Sequence, residues 1–317
     1  MKKTLVSIII PTFNRANLIV ETLDSVLLQT YQHWECIIID DGSTDNTEYI
    51  VGNYLKKDSR FRYYHRPKNR LKGGNAARNY GFELCKGEYV NWFDSDDVMD
   101  PDFIKFKILK FKKEKETDAV ISKTAMFKDN IANIIGKENR TFLTDNTLQD
   151  FLKLKISWYL PDVMWRTVFL VEKELFDEKL LAGQDRDFHT KMLLFNPNLV
   201  ILDFYLTNCR SHSDNITRNV NNIKNKALKM SHLYSMINVI KLLSETDKLS
   251  NSLKIHFFKS TMKYLPFVID DKSDFEVLLK LLKSLTFFNF IIIGNWNKIG
   301  LAYISYKLFS KGERFLK

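Results

Sequence analysis

The sequence predicts an α/β protein, a layered domain with a mostly parallel sheet over residues 1–216 followed by a smaller helical region over 217–317. Three observations carry this. Short apolar, β-branched runs alternate with amphipathic helical stretches through the first hundred residues, the pattern of strand–helix–strand units. Polar clusters at Pro11–Arg15, Asp40–Ser43 and Asp94–Asp97 each follow such a run, where the ligand-binding crevice of a parallel sheet lies. From about Thr217 strand signals thin, and Lys226 to Leu243 and Asp274 to Leu285 read as amphipathic helices.

Leu5 to Ile10 is a continuous apolar run, as expected of a strand covered on both faces. Leu18, Leu23, Val26 and Leu27 then share a helical face, with Asn17 available as the cap. A second buried strand, Cys36 to Ile39, ends at Asp40-Asp41-Gly42-Ser43, and Asp45 with Glu48 has the spacing of a capping box. Arg62 to His65 is expected as the third strand. Gly73-Gly74-Asn75 should open a helix running to about Cys85, with Gly87 ending it. Glu88 to Phe93 is the fourth strand and delivers the acidic cluster at its carboxyl end. The three polar clusters should therefore converge on one cleft, with residues 1–100 forming one half of the domain and 101–216 the other.

Composition narrows the class. The chain has 317 residues, 45% hydrophobic and 27% charged, with no fixed-period repeat and no low-complexity stretch, so a folded protein is expected. Its net charge of +10 fits nucleic acid, an anionic membrane surface or a polyanionic substrate as partner, or lysine richness that serves solubility. No nucleic-acid-binding motif accompanies the charge. The three cysteines, Cys36, Cys85 and Cys209, have neither disulfide-framework nor zinc spacing. The first apolar run is too short for a secretory signal, and Phe287 to Ile304 is interrupted by Asn289, Gly294, Asn295, Asn297 and Lys298, so a cytoplasmic protein is expected.

Asp94-Ser95-Asp96-Asp97 places three carboxylates in four residues, which repel one another unless a cation intervenes. Oxygen ligands of this kind suit Mg²⁺ or Mn²⁺ held together with substrate phosphates. Spacing alone leaves open a solvated acidic turn. The Asp40–Ser43 cluster could accept hydrogen bonds from a base or ribose, or could simply turn the chain.

Taken together, the ordered blocks resemble glycosyltransferase family 2, inverting enzymes of the GT-A fold. The resemblance rests on Val6 to Arg15 (VSIIIPTFNR), Ser25 to Tyr31 (SVLLQTY), Glu35 to Asp45 (ECIIIDDGSTD), Gly74 to Asn79 (GNAARN), Gly87 to Val90 (GEYV) and the acidic cluster. It implies a nucleotide-sugar donor, a UDP-sugar by the commonest pattern, and transfer of the hexosyltransferase type to a saccharide or lipid-linked acceptor in cell-surface polysaccharide synthesis. It also implies roles. Pro11 and Phe13 would line the nucleotide pocket, Asp41 would bind the base, Arg78 and Asn79 would sit near the nucleotide, and Asp94 would contact ribose or sugar. Asp96 would hold the Mn²⁺ or Mg²⁺ that bridges the diphosphate, and His212 matches a position that approaches the metal, although a surface-loop histidine reads equally well. The family's base lies in a Glu-Asp pair after a glycine. Here the stretch is Gly183-Gln184-Asp185-Arg186-Asp187, with Gln184 replacing the first acid, so Asp185 is the aligned base and Asp187 its rival.

Several features stay open at this level. His189, four residues beyond Asp185, is structural or faces the acceptor. Trp158-Tyr159-Leu160-Pro161 and Trp165-Arg166 either shape an acceptor site or fill the core. The segment from Phe287, with Lys298, Lys307, Lys311, Arg314 and Lys317 against Glu313, could bind an anionic membrane surface at the inner face of the plasma membrane, or pack on a partner. The rival enzyme class is a sugar nucleotidyltransferase, which would want a glycine-rich, cationic loop after the first strand. Pro11-Thr12-Phe13-Asn14-Arg15 stands there instead. The non-enzymatic rival is a degenerate sugar-binding scaffold, against which Asp41, Asp96 and Asp185 count.

Overall fold

The computed structural model describes residues 4–212, 226–268 and 272–285. The basic segment from Phe287 and the expected boundary at 216/217 lie outside the described residues. The chain divides into two units, Met1–Arg218 and Asn219–Lys317.

The first unit is built on one sheet. Its strands are β1 (Val6–Thr12), β2 (Trp34–Asp40), β3 (Phe61–His65), β4 (Tyr89–Trp92), β5 (Val98–Met99), β6 (Ala119–Lys128), β7 (Asn130–Lys137), β8 (Val163–Arg166) and β9 (Leu199–Arg210). The order is β3-β2-β1-β4-β8-β6-β9-β5, with β7 paired to β6. Strands β3, β2, β1 and β4 run parallel. The 101–216 half departs from the expected parallel arrangement: β8 is antiparallel to both β4 and β6, β5 is antiparallel to β9, and only β6 and β9 pair parallel there.

Alternation along the parallel strands divides the core. Val6, Ile8 and Ile10 of β1 and Cys36 and Ile38 of β2 point to one face, which α1 (Ile19–Leu27), α2 (Thr47–Lys57) and α4 (Phe103–Lys113) cover with Leu23, Val26, Val51, Ile104 and Ile108. Ile37 and Ile39 point to the other face, against Ala77 of α3 (Gly74–Leu84). Ile9 and Trp92 continue that second layer with Phe188 and Met192 of α7 (Gln184–Leu194), while α5 (Thr147–Leu152) and α6 (Thr167–Leu170) close it. Trp158 and Trp165 belong to this layer and are buried, so they fill the core.

Three local expectations are corrected. Asn17 does not cap α1: the N–H groups of Leu18 and Ile19 donate to the Arg15 carbonyl, both at 2.9 Å, and no side chain caps the helix. Asp45 and Glu48 do not form a capping box. Asp45 instead accepts from the Ala16 and Thr47 N–H groups, both at 3.0 Å, tying the loop after β1 to the start of α2. Gly87 lies beyond the helix, which is closed at Cys85; a Cβ at Gly87 would come within 2.6 Å of the Ser7 backbone nitrogen, so glycine there permits close approach to β1.

The second unit is helical within the described residues, comprising α8 (Lys226–Glu245), α9 (Asn251–Met262), α10 (Leu265–Val268) and α11 (Lys272–Leu285). Its buried side chains include Leu233, Val239, Leu243, Phe257, Leu278 and Leu282, and Ser250 caps α9 through the Leu253 N–H at 3.3 Å. Among the described residues no helix is long and apolar enough to cross a membrane.

Candidate active site

The three polar clusters meet at the carboxyl ends of β1, β2 and β4. The Thr12 carbonyl accepts from the Asp41 N–H at 2.9 Å, and Asn14, at φ 50°, accepts from the Thr44 N–H at 2.8 Å. The Asn14 N–H donates to Ser43 Oγ and that of Arg15 to Thr47 Oγ1, each at 2.9 Å. The loops after β1 and β2 are thereby one hydrogen-bonded body. Pro11 lies in β1 beyond its last partner pair with β4, Ile9 with Trp92, where a missing N–H removes no ladder bond. Phe13 stands 38% exposed, with Lys72 Nζ 4.4 Å from its ring centroid.

The two aspartates after β2 differ in use. Asp40 is buried and fully engaged, accepting from the Gly42 and Ser43 N–H groups at 2.7 and 2.6 Å and from the Tyr63 hydroxyl at 2.7 Å. Asp41 is buried as well, and its carboxylate pairs with Arg66. The Arg66 guanidinium is itself fixed by the carbonyls of Pro67 and Arg70, at 2.9 and 2.7 Å.

Helix α3 starts after Gly73, whose φ of 137° favours glycine, and projects Arg78 under the acidic turn. Arg78 Nη2 donates to Asp94 Oδ1 at 2.9 Å and Nη1 to Asn75 Oδ1 at 3.2 Å. Asn79 points away from this contact. Its amide nitrogen donates to the Phe176 carbonyl at 2.9 Å and to Glu178 Oε1 at 3.1 Å, and its Oδ1 accepts from the Phe176 N–H at 3.2 Å. Asn79 therefore tethers the 176–178 segment to α3.

Within the acidic turn each carboxylate has its own environment. Asp94, 37% exposed, is the one held by Arg78. Asp96 Oδ2 lies 3.0 Å from His212 Nε2 and 3.5 Å from Arg15 Nε. Burial opposes the charge on Asp96, but the His212 hydrogen bond and Arg15 outweigh it and hold the carboxyl below its usual range. Asp97 is buried; desolvation first, then Asp96 and Asp94, push its carboxyl well above the usual range, against a hydrogen bond from the Arg210 N–H at 2.9 Å. Arg210 Nε also donates to the Asp96 carbonyl at 3.0 Å, so the end of β9 clamps the turn and presents His212 to it.

Asp185 lies in the first turn of α7, after Gly183 at φ 84°. Its Oδ2 accepts from the Leu160 N–H at 3.4 Å. Burial and the nearby Asp94 raise its carboxyl to about 6, against Arg78 and the Leu160 amide. Asp187 is buried elsewhere and pairs with Lys191 at 3.0 Å. His189 is enclosed by Phe151, Trp158, Trp165 and Phe188, and burial pulls its imidazole down to about 3, so it is a neutral part of the core.

Among the described residues no group of three or more His, Cys, Asp and Glu side chains is arranged as a metal cage. The Asp96–His212 pair supplies one carboxylate and one imidazole, a donor set that fits Mn²⁺ or Mg²⁺ when diphosphate oxygens complete the shell. Arg15, Arg66, Arg210 and the Leu160 amide received no role from the sequence. Arg15 and Arg210 each lie two residues from an assigned position, Phe13 and His212, which is the signal that could have found them. The Leu160 amide has no sequence signal, because any residue type supplies a backbone N–H.

Residues 7–178 match the family described as Glycosyl transferase family 2. An uncharacterized glycosyltransferase of Rickettsia felis is 37% identical over 183 residues, which is 57% of this chain and 29% of that protein. The putative teichuronic acid biosynthesis glycosyltransferase TuaG of Bacillus subtilis is 42% identical over 113 residues, 36% of this chain and 44% of that protein. The chain thus spans well under two thirds of either relative. Among solved structures, S. aureus TarS 1–349 in complex with UDP-GlcNAc superposes with a TM-score of 0.66 at 18% identity, covering 98% of this chain and 89% of that one. That likeness is one of fold.

Proposed function

The chain belongs to glycosyl transferase family 2, and on that premise we propose that it transfers a sugar, with inversion, from a nucleotide-diphosphate donor to a hydroxyl of a saccharide or lipid-linked acceptor. The observation that carries this reading is the placement of Asp185. A desolvated carboxylate raised to about 6 stands within electrostatic reach of the Arg78–Asp94 pair, Asp94 lying two residues before Asp96 in the acidic turn. A group with that proton affinity is ionised at neutral pH yet basic enough to take a proton in the transition state.

Pro11 and Phe13 form the wall for the nucleoside, and Asp41, oriented by Arg66, takes the base edge. UDP is the first donor nucleotide to try, since TarS, which shares the fold, binds UDP-GlcNAc. Arg78 orients Asp94 toward the ribose or sugar, and Asn79 acts one step removed, by holding the 176–178 segment. Asp96 and His212 would hold Mn²⁺ or Mg²⁺, which when bound offsets negative charge on the departing diphosphate. Asp185 removes the acceptor hydroxyl proton as that oxygen attacks the anomeric carbon, and the bond to the diphosphate oxygen breaks on the opposite face. The relationship to TuaG, named for teichuronic acid biosynthesis, supports polysaccharide synthesis as the setting. A cytoplasmic place with peripheral membrane association is part of the proposal and rests on the sequence reading alone.

Asp185→Asn tests the assignment. Transfer should fall by about 10²–10⁴-fold, the usual worth of a positioned base, while UDP binding measured by calorimetry with Mn²⁺ stays within about twofold. Transfer at the wild-type rate would remove Asp185 from the chemistry.

A further inference from the structure

A buried cation lies behind the turn that contacts Asp185. Lys107, on α4, is fully buried; its Nζ donates to the Asp162 carbonyl and lies 4.0 Å from the centroid of the Phe103 ring. Asp162 is equally buried. Its Oδ1 accepts from Thr124 Oγ1 at 2.6 Å and its Oδ2 from the Tyr159 N–H at 2.9 Å. Asn91 Nδ2 donates to the carbonyls of Pro161 and Val163, at 3.0 and 2.8 Å. Side chains from β4, α4 and β6 thus grip a single short segment, residues 159–163, from three directions.

An ammonium and a carboxylate buried together are costly, and apolar side chains of similar volume often serve stability as well or better. Burial pulls Lys107 down to about 7, a sign of how unfavourable the site is for its charge. What the gripped segment presents to the cleft is the Leu160 N–H, 3.4 Å from Asp185 Oδ2.

We propose that Lys107 is a positioning residue for the reaction: by anchoring the Asp162 carbonyl, it fixes the 159–163 turn so that the Leu160 amide stays on the Asp185 carboxylate. The proposal rests on Asp185 being the base. The charged groups that bear on Asp185 are Asp94 after β4, Arg78 on α3 and Asp162 before β8; the first and last favour its protonated form, while Arg78 and the Leu160 amide favour the carboxylate. Loosening the turn weakens the amide contact. Asp185 then holds its proton to higher pH, and its geometry toward the acceptor hydroxyl spreads.

The test is the pH profile of kcat at saturating donor for Lys107→Met, with UDP binding by calorimetry alongside. The expected result is kcat reduced about tenfold or more at pH 7, the acid limb moved upward by about half a pH unit or more, and the UDP Kd within about twofold. A lowered melting temperature with the acid limb where the wild type has it would make Lys107 merely structural and overturn the proposal. Thr124→Val removes only the 2.6 Å bond to Asp162 and should move the limb in the same direction by less. If Lys107→Met does not bind UDP, and so has not folded, Thr124→Val decides: an unmoved limb overturns the proposal. Asp185→Asn separates the two ideas. Full activity in that variant removes the base assignment itself, whereas an inactive Asp185→Asn beside an unmoved limb in Lys107→Met removes the positioning role alone.

Discussion

Asp185 and Asp96 are both carboxylates in one cleft, yet their surroundings pull them in opposite directions. Asp96 is offered an imidazole and a guanidinium and stays ionised; Asp185 is desolvated and faces Asp94, so its charge is disfavoured. That difference has a consequence for stability. The Asp185 carboxyl, about 6 in the folded protein, has a reference value of 3.8, so between these values the folded chain binds more protons than the unfolded one. Stability attributable to this group therefore falls as pH rises from about 4 through about 6. Asp185→Asn carries no such charge. Its melting temperature should exceed the wild type's at pH 7.5, and the excess should shrink toward zero at pH 4, measured by differential scanning fluorimetry. A difference that does not change with pH would mean that the carboxylate is not held against its charge. The aspartates proposed for the site, Asp41, Asp94, Asp96 and Asp185, could be singled out in the sequence because each stands in a stretch that resembles the family pattern. How each is tuned was not legible, because Arg15, Arg66 and the Leu160 amide reach them across the fold.

Elements carry the same lesson at larger scale. Strands β1, β2 and β4 were readable because each is buried along its whole length and so carries apolar residues toward both layers. The two-residue β5 and four-residue β8 leave no periodicity to read, and they introduce antiparallel pairing into the second half. Caps were misread where a side chain of the right type had a tertiary partner: Asp45 binds the Ala16 N–H as well as Thr47. Close packing of α3 on the sheet is a further feature that spacing alone does not reveal. A Cβ on Gly81 would lie 2.3 Å from Ile9 Cγ2 and 3.3 Å from Ile39 Cγ1, so the helix must back away or the strand must shift. Overpacking of this kind costs about 1–3 kcal/mol, against about 1 kcal/mol gained from replacing glycine inside a helix. Gly81→Ala should therefore lower unfolding free energy in urea by about 1 kcal/mol. Because α3 also carries Arg78, the change should weaken UDP binding as well; a variant as stable as wild type would show that the helix has room the packing denies.

At the scale of the whole chain, every residue assigned to donor or base lies in Met1–Arg218. The +10 charge does not report on this division, since it is a property of the entire sequence and is compatible with several partners. Ligand linkage does. A ligand that binds only the folded first unit stabilises that unit by RT ln(1 + [L]/Kd), about 2.7 kcal/mol at a hundredfold excess over Kd. For a domain of this size, where each kcal/mol moves the midpoint by about 2–4 °C, that is roughly 5–11 °C in melting temperature. UDP with Mn²⁺ should produce such a shift in the full chain, and in a chain truncated after Arg218 as well. Asp96→Ala should abolish the Mn²⁺-dependent part in both, since it removes one of the two metal donors. A shift seen in the full chain but absent from the truncated one would place part of the donor site in residues 219–317. A shift that survives Asp96→Ala undiminished would move the metal away from the Asp96–His212 pair.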